Sequence, residues 1–261
     1  MAAAVPGVRR LLRERAVVLG AVAAVGGLAW LYTLRLGHGL VDLLCLAAPA
    51  APAWTPADFA LGFAMWTAMM TGMMLPTAAP MLLTFAAVQR DRPAVRRAAA
   101  VAAFAGGYLL LWAGYSAAAT LLQWALQSGG LLAAAADPMN ARLGAARLGG
   151  ALFMAAGLYQ FTTWKHACLR HCRPPFTVLL TGWRDGTGGA LRMGLAHGAH
   201  CLGCCWLLMA LLFAVGTMEL LWMAALTLFV FAERLLPGGK WIGRAGGAAM
   251  LTWGAWLLAA G

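Results

Sequence analysis

Charge is what this sequence has least of. Only 10% of its 261 residues are charged, and acidic residues number 8. Against that stand 63% hydrophobic residues and a mean hydropathy of +0.78. That balance lies far outside a soluble domain and points to a polytopic membrane protein. A Walker-type phosphate loop is missing, and so is a polar stretch long enough for an ATP-hydrolysing domain. ATP-driven pumping by this chain alone is therefore not expected, and the residues point away from an enzyme. The net charge of +11 invites a nucleic-acid reading. No basic helix face and no aromatic–basic groove supports it, and nucleic acid is set aside as a partner. No internal repeat is evident.

Apolar runs long enough to span a bilayer recur at Ala16–Leu36, Phe59–Val88, Ala98–Leu126, Leu143–Trp164, Met193–Gly216, Met218–Leu236 and Trp241–Ala260. The expectation is an all-α, polytopic membrane helix bundle of about seven transmembrane helices, by the spanning-length rule. It forms one transmembrane domain over residues 1–261, with a basic cytoplasmic N-terminus at 1–15. The run after Arg9, Arg10, Arg13 and Arg15 is longer than a signal-peptide core and reads as an uncleaved first helix. All of the 19 Lys and Arg except Arg35, Arg142 and Arg147 fall on one side if the N-terminus is inside. The positive-inside rule then places the N-terminus on the cytoplasmic side of the membrane. Pro76 and Pro80 are expected to break the second helix. Gly107, Gly114, Gly144, Gly149, Gly150 and Gly157 are small enough to let helices approach closely.

The densest chemistry is the string His197-Gly198-Ala199-His200-Cys201-Leu202-Gly203-Cys204-Cys205. On a helix, Met193, His197, His200 and Cys204 fall within a stripe roughly 60° wide, with Cys201 and Cys205 on its flank. Imidazole and thiolate suit copper or zinc rather than magnesium or calcium, and ionisable groups at membrane depth mark functional sites. The pairs His197/Cys201 and His200/Cys204 are each spaced to chelate one ion. A complete site needs a second helix. Cys168 and Cys172, interleaved with His166 and His171 at the inner end of the fourth run, are the partners expected there. A helical continuation of that run would put both thiols on one face. They would meet the start of the stripe at the inner surface, as one site or two. Structural disulfides are disfavoured on a reducing side. Cys45 and His38 read as incidental.

Methionine supplies a second signal. Met69, Met70, Met73 and Met74 crowd the second helix beside Trp66. Thioethers select Cu(I), although methionine is also a common apolar filler. Glu219 and Glu233 are rare acids in apolar runs; Glu233 beside Arg234 reads most simply as an interface pair. Trp183-Arg184-Asp185-Gly186 reads as a turn at the inner interface.

Three strings carry a resemblance: Ala68-Met69-Met70-Thr71-Gly72-Met73-Met74-Leu75-Pro76, the stretch from Tyr159 through Cys168 and Cys172 to Pro174, and the stretch from Gly189 to Trp206. Over residues 59–239 the chain resembles a bacterial family described as predicted metal-binding integral membrane proteins of unknown function. The resemblance implies a metal but no reaction. It departs at Met218-Glu219-Leu220, where Met-Asn-Leu is expected, so no shared role attaches to Glu219.

The reading that results is binding of a soft transition-metal ion, copper with zinc as the other option, for transport or delivery within the membrane. Cys168 and Cys172 collect the ion; His197, His200, Cys201, Cys204 and Cys205 hold it; Met69, Met70, Met73 and Met74 offer weaker sites. The partners expected are the metal ion, the lipid bilayer, and a metallochaperone or membrane partner subunit. Two alternatives share the residues: a membrane thiol/quinone oxidoreductase using the cysteine pairs, and a haem-binding membrane subunit with His197 or His200 as axial ligand.

Overall fold

A computed structural model describes residues 6–37, 54–129, 138–173, 179, 182–215 and 219–260. Its helices are α1 (Pro6–Gly37), α2 (Pro56–Val88), α3 (Ala94–Ser128), α4 (Pro138–Tyr159), α5 (Thr163–Cys172), α6 (Gly186–Ala210), α7 (Leu212–Val215), α8 (Leu220–Leu235) and α9 (Gly239–Ala260). The chain is all-helical, and no strand occurs among the described residues. Cys45, His38 and most of the apolar stretch at 176–180 lie outside them.

Among the described residues four helical stretches are long and apolar enough to cross a membrane: Arg15–Arg35, Pro56–Val88, Ala94–Ser128 and Gly186–Val215. The remaining expected spans are shorter or more polar. α8 has 16 residues, stopping just before Pro237, and rises only about 24 Å. α9 opens on Lys240 and Arg244.

Local chemistry sets the helix ends. Thr55 and Asp58 form a reciprocal capping box ahead of α2, with Pro56 at its first turn. Thr162 caps α5 by accepting from the Lys165 amide at 3.3 Å. That cap starts a new helix after a turn at Gln160–Phe161, so Cys168 and Cys172 do not sit on a continuation of α4 as expected. α6 starts at Gly186, whose φ of +79° is the left-handed geometry glycine accommodates. Asp185, just before it, pairs with Arg92 and accepts from the Trp183 indole at 3.2 Å, tying the α2–α3 connection to the start of α6. Those two donors hold its exposed carboxyl below the usual range. The turn read at residues 183–186 is therefore present.

Pro76 and Pro80 do not break α2, which runs unbroken through both. A proline inside a helix leaves the carbonyl four residues earlier without its donor. For Pro76 that carbonyl belongs to Gly72, and the Trp30 indole of α1 donates to it at 3.2 Å. A neighbouring helix thus supplies the lost bond, as buried helices with proline require.

Glycine decides which helices touch. A Cβ on Gly194 would strike the Phe104 backbone, and one on Gly107 would strike the backbone of Leu191. α3 and α6 therefore run parallel with their backbones in contact. Gly150 and Gly157 of α4 meet Gly254 and Gly247 of α9 as closely, there with the two helices antiparallel. Gly114 faces open space and has no such role.

Gly194→Ala should cost about 1–3 kcal/mol, because two backbones must move apart. Gly20→Ala, where a Cβ meets nothing within 4 Å, should leave stability equal or slightly higher. Thermal unfolding of both variants in one detergent tests this; equal midpoints would contradict it.

Candidate metal centre

The middle of α6 carries the thiols, and three neighbours converge on it. α3 supplies Tyr108, α2 supplies Met74 and Thr77, and α8 supplies Arg234. Cys201, Cys204 and Cys205 are buried, as are Met69, Met70, Met73, Met74 and Trp66. The methionines thus form the wall of the same core rather than a separate stripe. Met74 comes nearest, with its Sδ 4.0 Å from Cys205 Sγ.

At the focus of the three thiols sits a cation. Arg234 Nη2 lies 2.8 Å from Cys201 Sγ, 3.2 Å from Cys204 Sγ and 3.6 Å from Cys205 Sγ. Its Nη1 donates to Thr77 Oγ1 at 2.9 Å. The Tyr108 hydroxyl, 3.0 Å from Cys201 Sγ, donates to the Met74 carbonyl at 3.0 Å. Among the described residues no group of three His, Cys, Asp or Glu side chains is arranged around an open centre for a metal. The guanidinium occupies the place where the sulfurs point.

The cysteines of α5 join this cluster. Cys168 Sγ packs where a Cβ on Gly203 would stand, at 2.8 Å. Cys172 packs against the same buried cluster, where its neighbour Cys204 first and burial second hold its thiol well above the ordinary range. Burial also raises Cys168. The expected meeting at the start of the α6 stripe is corrected: α5 runs antiparallel to α6 and meets it at Gly203–Cys204, deeper in the bundle. The thiols of the two helices form one cluster.

His197 is buried one turn before Cys201, its ring stacked on Tyr108 at 5.7 Å. Its Nδ1 has no hydrogen-bond partner. An unpaired buried imidazole nitrogen is costly and marks a site that a ligand would satisfy. His200 does not join the thiols. Its ring stacks on His171 at the seam of α5 and α6. His166 is held below its ordinary value by burial first and by the charge of Lys165 second.

The sequence reading did not place Arg234, Lys165, Thr77 or Tyr108 at the site. The pairing of Glu233 with Arg234 is also corrected. Glu233 turns to Lys165, with carboxylate oxygens 2.8 Å from Nζ and both side chains buried. Gln160 accepts from the same ammonium. Arg173 donates to the Glu233 carbonyl at 2.6 Å. This lock fixes the end of α8, and so the aim of Arg234, against α5. The usable signal was two adjacent ionisable residues closing an apolar run, each needing its own buried partner.

Glu233→Ala strands a buried ammonium and should cost about 3–5 kcal/mol. Lys165→Met with Glu233→Leu removes both charges and should recover most of that loss. A double-mutant cycle by thermal unfolding measures the difference; additive losses would contradict the pairing.

A family model described as "copper chaperone" matches residues 63–257, which includes every residue named in this cluster. No curated protein and no solved structure matches the chain. The family shown is metal-related, in keeping with the metal implied by the three sequence strings. The chain belongs to the PpoB2 family of copper chaperones.

Proposed function

We propose that this chain holds copper(I) in the cluster of Cys201, Cys204 and Cys205 and passes it on by exchange with Cys168 and Cys172. The observation that carries the reading is the guanidinium of Arg234 among three buried sulfurs. Among the described residues the buried ionised side chains are Lys165, Glu233 and Arg234. Glu233 is committed to Lys165. Arg234 therefore needs another negative charge, since an uncompensated buried ion is costly. The thiols are the groups that can supply it, and the thiolate is the form that binds soft metals.

The charge balance gives a mechanism. Before loading, one thiolate offsets the guanidinium. When Cu(I) arrives, its bond to the donor's ligand breaks and bonds to two sulfurs of the cluster form. One thiol loses its proton. A copper(I) bis-thiolate carries one negative charge, and Arg234 offsets it, drawn aside toward Thr77. The site is neutral before and after, so copper enters and a proton leaves without a buried net charge. The unpaired Nδ1 of His197 and the thioether of Met74 are the neighbouring donors for a third bond. Zinc fits less well, since it requires four ligands around a centre that a guanidinium shares.

The copper reading draws on the family; the ligand set draws on the geometry. A position within the bacterial cytoplasmic membrane, with the N-terminus inside, is supported by the four apolar helices and the distribution of Lys and Arg. In that setting the chain receives copper at the inner face and delivers it to a membrane partner or a soluble carrier.

Two outcomes are expected of the purified full chain under anaerobic conditions. Titration with Cu(I) against a chromophoric competitor should give tight binding that is lost when Cys201, Cys204 and Cys205 are all changed to Ser; retention in that variant would sink the ligand set. Binding should also release one proton per ion, so that affinity rises about tenfold per pH unit near neutrality. A pH-independent affinity would contradict the neutral exchange.

A further inference from the structure

A cleft that the copper reading does not use opens among the first three helices. α1 and α3 both pack on α2, and the cleft lies between them, with a volume of about 680 Å³. That is the size of a ligand pocket. Its walls are apolar, from Val18 and Val22 of α1 and Leu82 of α2 to Leu109 of α3. Small side chains make the room: Ala98, Ala102 and Ala105 line it along one side of α3. From Ala94 to Leu109 the cleft follows α3 for about 22 Å at 1.5 Å per residue.

The cleft has a charged end and an apolar end. α1 runs antiparallel to α2, with Trp30 bonded to Gly72 and Gly26 against Pro76. α3 also runs antiparallel to α2, with the Phe104 ring 4.8 Å from Phe85 and Gln123 accepting from Trp66. The start of α1, the end of α2 and the start of α3 therefore share one end of the bundle. Arginine gathers there. Arg97 lines the cleft, and its guanidinium donates to the Arg90 carbonyl at 3.4 Å. Arg15, Arg90 and Arg96 are exposed at the same end. Of the carboxylates nearby, Asp185 is taken by Arg92 and Asp91 lies 3.9 Å from Arg90. The lining at the other end, around Val25 and Leu109, is wholly apolar.

An apolar slot with arginine at one end fits an amphiphile with an anionic head. We propose that the cleft holds one acyl chain of an anionic phospholipid, with the phosphate at Arg97. This rests on the membrane reading above. A single chain covers half of a hydrocarbon core ~30 Å thick, or about 15 Å of the cleft, and the remaining length reaches the arginines. A guanidinium suits a phosphate because it can bind it through two parallel N–H donors. Lipid against a flat helix face exchanges freely with the bilayer. A chain enclosed by three helices and held at its head stays through purification. It fills the gap between α1 and α3 and so braces α1, whose Trp30 supports α2 at Pro76.

The test is native mass spectrometry of the full chain, purified in detergent and offered dioleoyl phosphatidylglycerol or dioleoyl phosphatidylcholine. The two lipids share their chains and differ in head charge. The site predicts one retained phosphatidylglycerol per chain, in preference to phosphatidylcholine. Arg97→Gln should cut that preference about fivefold. Ala102→Trp fills the cleft from an exposed position and should abolish retention while Cu(I) uptake stays unchanged. Equal retention of both lipids, or undiminished retention in Ala102→Trp, would overturn the site. So would a second copy of the chain bound in place of a lipid. Where Ala102→Trp does not fold, Ala98→Leu is read the same way. Alkaline washing of the cell membranes separates this inference from the reading beneath it. A chain that stays in the pellet and retains no lipid loses this site alone. A chain released into the wash loses the membrane reading and the site with it.

Discussion

A guanidinium buried among sulfurs is the contact on which the rest of the molecule is organised. Among the described residues Arg234 forms no ion pair with a carboxylate, and Glu233 is taken by Lys165. Its charge must be met by the thiols of α6, 2.8 to 3.6 Å away. This places a cation where a soft metal would bind and gives the metal-free cluster a reason to be ordered. It also explains why the cysteines do not frame an open coordination centre.

Every layer of the fold serves that contact. α2 delivers Thr77 and Met74 only because it runs straight through Pro76, and it does so because Trp30 replaces the missing donor. Gly107 and Gly194 bring α3 and α6 together closely enough for Tyr108 to reach Cys201. The Lys165–Glu233 pair fixes the C-terminal end of α8 and so the direction of Arg234. It also pins α5, whose cysteines then lie along α6. Buried ion pairs contribute little net stability but strongly penalise the loss of one partner, which suits a device that sets geometry.

Much of this was legible in the sequence. The all-helical class followed from hydropathy, and the thiol stripe on α6 from residue spacing alone. The closeness of Cys168 and Cys172 to that stripe was foreseen, but not its depth. Depth depended on a turn at Gln160–Phe161 that the apolar run from Leu143 to Trp164 conceals. Pro76 misled because a proline's missing bond can be restored by a side chain 42 positions away, which no local pattern reveals. His200 shares the stripe's face by arithmetic, yet its ring goes to His171; spacing gives a face, not a partner. Glu233 and Arg234 are neighbours in sequence and part company in space, since adjacent helix positions point about 100° apart.

The central claim is that sulfur from α6, and not nitrogen or oxygen alone, holds the copper. X-ray absorption at the copper edge of the full chain, loaded with one equivalent of Cu(I), reads the ligand atoms directly. The account predicts a first shell with at least two sulfur neighbours. A shell of nitrogen and oxygen only would contradict it and would leave the buried thiols with no part in binding.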